Sequence, residues 1–223
     1  MTIADNIIKS RLQNVYFLWG RGKTTIAAEL RRRYGCAVYD VDAARDRHAA
    51  NADAIHQPAM CRDYMREYGV TDFWKLPSSV IREREILWLR EFTPMAVADL
   101  LVLAARHDIV VCEGDLDYEA IIPIASHMVY LLNQGTKFDW FNRPDHAGML
   151  DSVKNRTDIG DAEKESIIAN AYEAVTAGEG LLPDWAAQHN IKSITWNDET
   201  TIARTASEVA QCFGLSPVGE GER

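Results

Sequence analysis

The sequence predicts an α/β fold, a five-stranded parallel sheet with helices on both faces, and three observations predict it. Five short apolar runs, Val15–Trp19, Cys36–Tyr39, Asp108–Cys112, Met128–Leu132 and Ile191–Trp196, alternate with stretches of helical periodicity. The run Asp108–Cys112 is continuous in apolar residues after its first position, as expected of a strand buried on both faces. Three of the runs lead directly into glycine or acidic residues, at Gly20, Asp40 and Glu113, and in open parallel sheets ligands gather at these carboxyl ends.

After the first run, the spacing predicts a helix over Thr24–Tyr34. Ile26, Ala27 and Leu30 share a face, Arg31-Arg32-Arg33 suit the negative end of its dipole, and Gly35 ends it. The second strand delivers Asp40-Val41-Asp42 to the sheet's edge. Residues 43–106 read as mainly helical, broken near Gly69, Pro77 and Pro94, and too long for a simple crossover, so a helical substrate-binding insertion is expected there. The third strand ends at Glu113-Gly114-Asp115. A short helix around Tyr118–Ile124, the fourth strand, helices over Ala162–Thr176 and Pro183–His189, the fifth strand and a closing helix to about Cys212 complete the pattern. The expected organisation is one domain over 1–216, carrying the insertion at about 43–106, a lid segment at about 136–160, and a disordered tail, 217–223.

The segment Gly20-Arg21-Gly22-Lys23-Thr24-Thr25, between a buried strand and a helix, reads as a phosphate-binding turn. Glycines let backbone N–H groups curl round an anion, the lysine adds charge, a hydroxyl can ligate Mg2+, and the helix N-terminus contributes its dipole. A nucleoside triphosphate is the ligand this chemistry suits. The spacing departs from the usual motif, because only Arg21 separates Gly20 from Gly22, and Phe17 cannot replace the absent first glycine. Either the turn is truly compressed, removing about three N–H donors, or a mobile segment is missing from it, and the second is expected.

Together these residues resemble the P-loop small-molecule and nucleotide kinases, the group that includes shikimate kinase, gluconate kinase, chloramphenicol phosphotransferase and the nucleoside and nucleoside-monophosphate kinases. The resemblance rests on Gly20…Gly22-Lys23-Thr24-Thr25, on Tyr39-Asp40-Val41-Asp42, on Val110-Val111-Cys112-Glu113-Gly114, and on the arginine-bearing segment Arg143 to Arg156, and it spans most of the chain in order. It implies ATP and Mg2+ as cofactors. Lys23 would bridge the β- and γ-phosphates, Thr24 would ligate Mg2+, Thr25 would touch the α-phosphate, and Gly20, Arg21 and Gly22 would line the cradle. It further implies that Asp40 binds a metal-bound water, that Asp42 points toward the acceptor and takes its hydroxyl proton, and that Glu113 holds a second water or replaces Asp42 as base. Arg143 and Arg156 would swing onto the transferring phosphate as the lid closes, and Asn197, with Asp198, would contact the purine.

Bulk properties set the outer limits. The 223 residues are 47% apolar, ordinary for a soluble core, and the net charge of −9, from 24 basic and 33 acidic residues, argues against nucleic acid or an anionic membrane as partner. No run of about 18 apolar residues occurs and the N-terminus lacks the layout of a secretory signal, so a cytoplasmic monomer or homodimer acting on a small-molecule acceptor is expected. The four cysteines and six histidines fall at no metal-ligand spacing.

Each candidate also has a structural explanation. Asp40 and Asp42 could cap the following helix, Glu113 could belong to an ion pair, Arg143 and Arg156 could be solvated, and Asn197 could cap the last helix. Phe73-Trp74 and Trp140-Phe141 could stack on a planar acceptor or fill cores. Three other readings compete with transfer to a metabolite hydroxyl: a nucleoside or nucleoside-monophosphate kinase, a degenerate module that binds ATP without transferring phosphate, and a partner-binding relic whose short turn binds no nucleotide.

Overall fold

The computed structural model describes residues 2–62, 67–133, 148, 150–176, 182–197 and 199–217. All the expected strands form: β1 (Val15–Gly20), β2 (Ala37–Asp40), β3 (Val110–Glu113), β4 (His127–Asn133) and β5 (Lys192–Trp196). They make one five-stranded parallel sheet in the order β2-β3-β1-β4-β5, consistent with P-loop nucleoside triphosphatase topology. The central strand β1 pairs Leu18 with Glu113 of β3 on one side and Gly20 with Leu131 of β4 on the other. Asp40 of β2 lies opposite Glu113. The register thus brings the ends of three neighbouring strands, with the acids they carry, to one edge of the sheet.

The helices are α1 (Ile3–Arg11), α2 (Lys23–Tyr34), α3 (Val41–Ala49), α4 (Val70–Lys75), α5 (Ser78–Ala104), α6 (Tyr118–Ile121), α7 (Asp151–Lys154), α8 (Asp161–Thr176), α9 (Leu182–Gln188) and α10 (Ile202–Phe213). On one face, Leu18, Val111, Val129, Leu131 and Ile194 form a core with Ile26 and Leu30 of α2 and with Ala206, Val209 and Phe213 of α10. Arg33 ties the two helices, donating to the Ala203 carbonyl at 2.9 Å and to Ser207 Oγ at 2.7 Å. On the other face, the Trp19 ring meets Tyr118 of α6 at 4.6 Å and Trp185 of α9 at 6.0 Å. Both faces are covered, which buries Val15, Phe17, Leu18 and Trp19 of β1 completely.

Two helical features depart from the sequence reading. The helix α1 was not expected; it begins with a capping box in which Thr2 Oγ1 accepts from the Asp5 amide while the Asp5 carboxylate accepts from the Thr2 amide. Pro94 does not break the insertion but lies inside α5. An interior proline costs about 3 kcal/mol. Full burial of Phe92 and Leu100 on the same helix offsets this, at about 1.5–3 kcal/mol each. The expected breaks at Gly69 and Pro77 do occur, as the N-cap of α4 and the residue before α5.

The chain divides into two compact units: residues 1–51, 89–136 and 183–223, which hold the sheet, and residues 52–88 and 137–182. The second unit has its own core of Phe73, Trp74, Leu150, Val153, Ile167 and Ala171, so the Phe73-Trp74 pair fills a core. Asn170 Nδ2 fastens it by donating to the carbonyls of Trp74 at 2.7 Å and Leu76 at 2.6 Å. Among the described residues no helix is long and apolar enough to cross a membrane.

Gly114, just after β3, has φ +131°, and a Cβ there would lie 2.2 Å from Val41 Cβ. The strand end can approach α3 only because this residue has no side chain. Gly114→Ala is expected to lower unfolding free energy by about 3 kcal/mol, combining backbone strain with overpacking. Gly214→Ala, at φ +69° in open space, is expected to lose only about 1 kcal/mol. Urea titration of the two variants checks the ranking, which equal losses would contradict.

Candidate active site

The site begins at the junction of β1 and α2. Gly20 and Gly22 both adopt positive φ, +93° and +84°, and a Cβ at Gly20 would lie 2.2 Å from the Leu131 carbonyl oxygen. The Arg21 amide donates to that same oxygen at 3.3 Å. The helix starts at Lys23, so β1 and α2 are joined by a two-residue turn, Arg21-Gly22. Gly22 offers no side-chain cap to α2. The first backbone N–H groups of α2 therefore have no partner within the helix, as at any helix start, and an anion is the complement they accept.

Glu113 is the buried acid of the site, only 2% exposed. Thr24 Oγ1 donates to its Oε2 at 3.0 Å. Burial pushes the Glu113 carboxyl up to about 7; the positive charge of Lys23 and the Thr24 hydrogen bond pull it down, while the charges of Asp40 and Asp42 push it further up. Lys23, Thr24, Asp40, Asp42 and Glu113 therefore share one electrostatic neighbourhood, assembled entirely within the sheet-bearing unit. Thr25 lies next along α2 and is exposed.

Asp40 does cap a helix, its Oδ1 accepting from the Ala43 amide at 3.0 Å. That cap turns the chain into α3 at Val41, two residues earlier than expected, which changes the reading of Asp42. It does not sit one alternation along an extended segment but in the first turn of α3, where it is exposed. Asn197 does not cap the last helix; Thr201 does. Instead Asn197 Oδ1 accepts from the Glu199 amide at 3.1 Å and from Thr200 Oγ1 at 2.9 Å, organising the turn after β5.

Arg156 belongs to the second unit, where it is paired with Asp158. Arg143, Asp198, the Trp140-Phe141 pair and most of the segment 136–160 lie outside the described residues.

Two arrangements escaped sequence reasoning. Asp99 of α5 gathers Tyr39 Oη at 3.1 Å, His48 Nε2 at 2.8 Å and Arg47 Nη2 at 2.5 Å, joining β2 and α3 to α5. Burial alone would raise the Asp99 carboxyl, but the bonds to His48 and Tyr39 and the nearby positive charges hold it below its ordinary value. The second is Trp196, at the end of β5, whose indole Nε1 donates to the Arg21 carbonyl at 3.0 Å. No sequence spacing signals either one.

The oxygen donors of the site are hard, as Mg2+ requires. Among the described residues no group of three or more His, Cys, Asp or Glu side chains is placed to hold a metal unaided, and Mg2+ in phosphate sites commonly relies on few protein ligands besides phosphate and water. No model of a known protein family matches the chain, and comparison with curated proteins finds no match.

Because the Glu113 carboxyl rises from an ordinary 4.5 to about 7 on folding, the folded chain retains a proton that the unfolded chain releases. Its contribution to stability is present below the unfolded value and is lost as pH rises through the folded one. In metal-free buffer the unfolding free energy of the wild type, relative to Glu113→Gln, is expected to fall by up to about 3 kcal/mol between about pH 4.5 and pH 8. Urea titrations of both proteins across this range measure it. A difference independent of pH would mean that Glu113 titrates normally.

Proposed function

We propose that this protein is an ATP- and Mg2+-dependent phosphotransferase of the P-loop type, acting on a hydroxyl of a small metabolite. The observation that carries the proposal is Thr24, at the start of α2, hydrogen-bonded to a buried Glu113 whose titration is shifted first by burial and then by the charges of Lys23, Asp40 and Asp42. One lysine faces three carboxyl groups there, an excess of negative charge suited to a cation. The fit to Mg2+ rests on Thr24 Oγ1 and on Asp40, which uses one carboxylate oxygen as a cap and keeps a second. Bound there, Mg2+ would neutralise charge on the phosphates.

Phosphoryl transfer needs positioning and charge stabilisation more than covalent chemistry. In this reading the amides from Gly22 to Thr25 and the Lys23 ammonium hold the polyphosphate. Asp42, exposed at the start of α3, orients the acceptor and accepts its hydroxyl proton. Glu113, titrating near neutrality, orients Thr24 and is the alternative proton acceptor.

One observation favours a second reading. The Arg21 amide is committed to Leu131 and the turn has only two residues, which suits a module that binds ATP without transferring phosphate. ADP formation against a panel of sugar, acid and nucleoside acceptors, with calorimetric titration of ATP, separates the two. Lys23→Ala is expected to lose at least about 100-fold in kcat/KM. Asp42→Asn is expected to lose about 100-fold or more in kcat with ATP affinity kept. Undiminished turnover in Lys23→Ala would remove the mechanism, and tight ATP binding with no turnover on any acceptor would establish the second reading.

A further inference from the structure

We propose that Trp196 is a positioning residue for the phosphate turn, taking over from β5 the work that a longer loop would do with its own backbone. The claim rests on the reading of Gly20–Thr25 as a phosphate cradle. Two independent contacts support it. The Trp196 indole N–H donates to the Arg21 carbonyl at 3.0 Å. Its ring also occupies the space beside Gly22, where a Cβ would lie 2.3 Å from Cζ2.

These contacts act on a turn with little freedom left. Arg21 has its N–H fixed to the Leu131 carbonyl of β4 and its C=O fixed to Trp196 of β5, so both polar groups of its backbone are anchored to successive strands. Gly20 and Gly22 on either side supply the positive φ that lets the chain meet both anchors. The anchors are rigid because Trp196 packs against the core that contains Leu131, Ile194 and Ile26. A turn that presents amides to an anion gains most when those amides need no reordering on binding, and a half-buried indole seated on a core provides that rigidity. The tryptophan is thus placed to compensate for the donors that compression removes.

The test compares wild type with Trp196→Phe, which keeps an aromatic ring but has no N–H. In the unliganded protein, hydrogen exchange of the amides in residues 20–25 is expected to accelerate about fivefold, the effect of losing one hydrogen bond. The melting temperature is expected to fall by no more than about 4 °C. The dissociation constant and KM for ATP are expected to rise about fivefold with kcat within about twofold of wild type. Trp196→His, which retains a ring N–H, should fall between the two, and it carries the comparison if the phenylalanine variant does not fold. Unchanged exchange in the turn would overturn the proposal, as would acceleration spread evenly over the sheet, or kcat and KM worsening together with the melting temperature. If wild type binds no ATP, the phosphotransferase reading fails, while the exchange measurement still decides whether Trp196 braces the turn.

Discussion

The arrangement of this site follows from the burial of one carboxyl group. Glu113 ends β3 at 2% exposure, and a buried acid must find hydrogen bonds and compensating charge or hold its proton. The sheet register limits which groups can respond. Leu18 beside Glu113 on one flank means that the chain leaving β1 two residues later carries Lys23 and Thr24 past it; Asp40 beside it on the other flank means that β2 hands its own acid to the same place. The glycines of the turn are then a geometric necessity, because only a chain without side chains at Gly20 and Gly22 can bend so closely against Leu131 and Trp196.

The two faces of the sheet have different tasks. On the face of α2 and α10 the packing is apolar and supports the turn between β1 and α2. On the other face a polar cluster joins Tyr39, Arg47 and His48 to Asp99 of α5, and this fixes the direction in which α3 leaves β2. Since α3 carries Asp42 and begins with the Asp40 cap, a cluster on the far side of the sheet helps set where those two acids stand relative to Glu113. The edge-on contact of His48 with Phe92, at 5.5 Å between ring centres, draws the α5 segment around Pro94 into the same arrangement.

Much of this was legible in the sequence, for a physical reason. Strands buried on both faces must be apolar along their length, so β1 and β3 announce themselves, and ligands collect at the carboxyl ends of parallel strands, so Gly20–Thr25, Asp40 and Glu113 stand out as candidates. What was not legible depends on contacts between distant residues. The Trp196 hydrogen bond to Arg21 spans 175 positions, and the His48 contact with Asp99 spans 51. The placement of Asp42 failed for a nearer reason: Asp40 caps, so the segment beyond it is helical, and helical spacing replaces strand alternation. Pro94 was read by its local preference, while the burial of Phe92 and Leu100 prevailed.

Glu113 also bears on whether the site is structural or chemical. A structural ion pair would place opposite charges together so that the acid ionises readily and the fold gains from it. Here burial and the charges of Asp40 and Asp42 together outweigh Lys23 and Thr24, so the acid is harder to ionise and the fold is weakened near neutral pH for keeping it. A glutamine of the same shape would remove that penalty. Local arrangements that oppose stability are expected where something else requires them, and an acid titrating near neutrality beside a lysine at a helix start is the kind of group the proposed phosphoryl transfer would use.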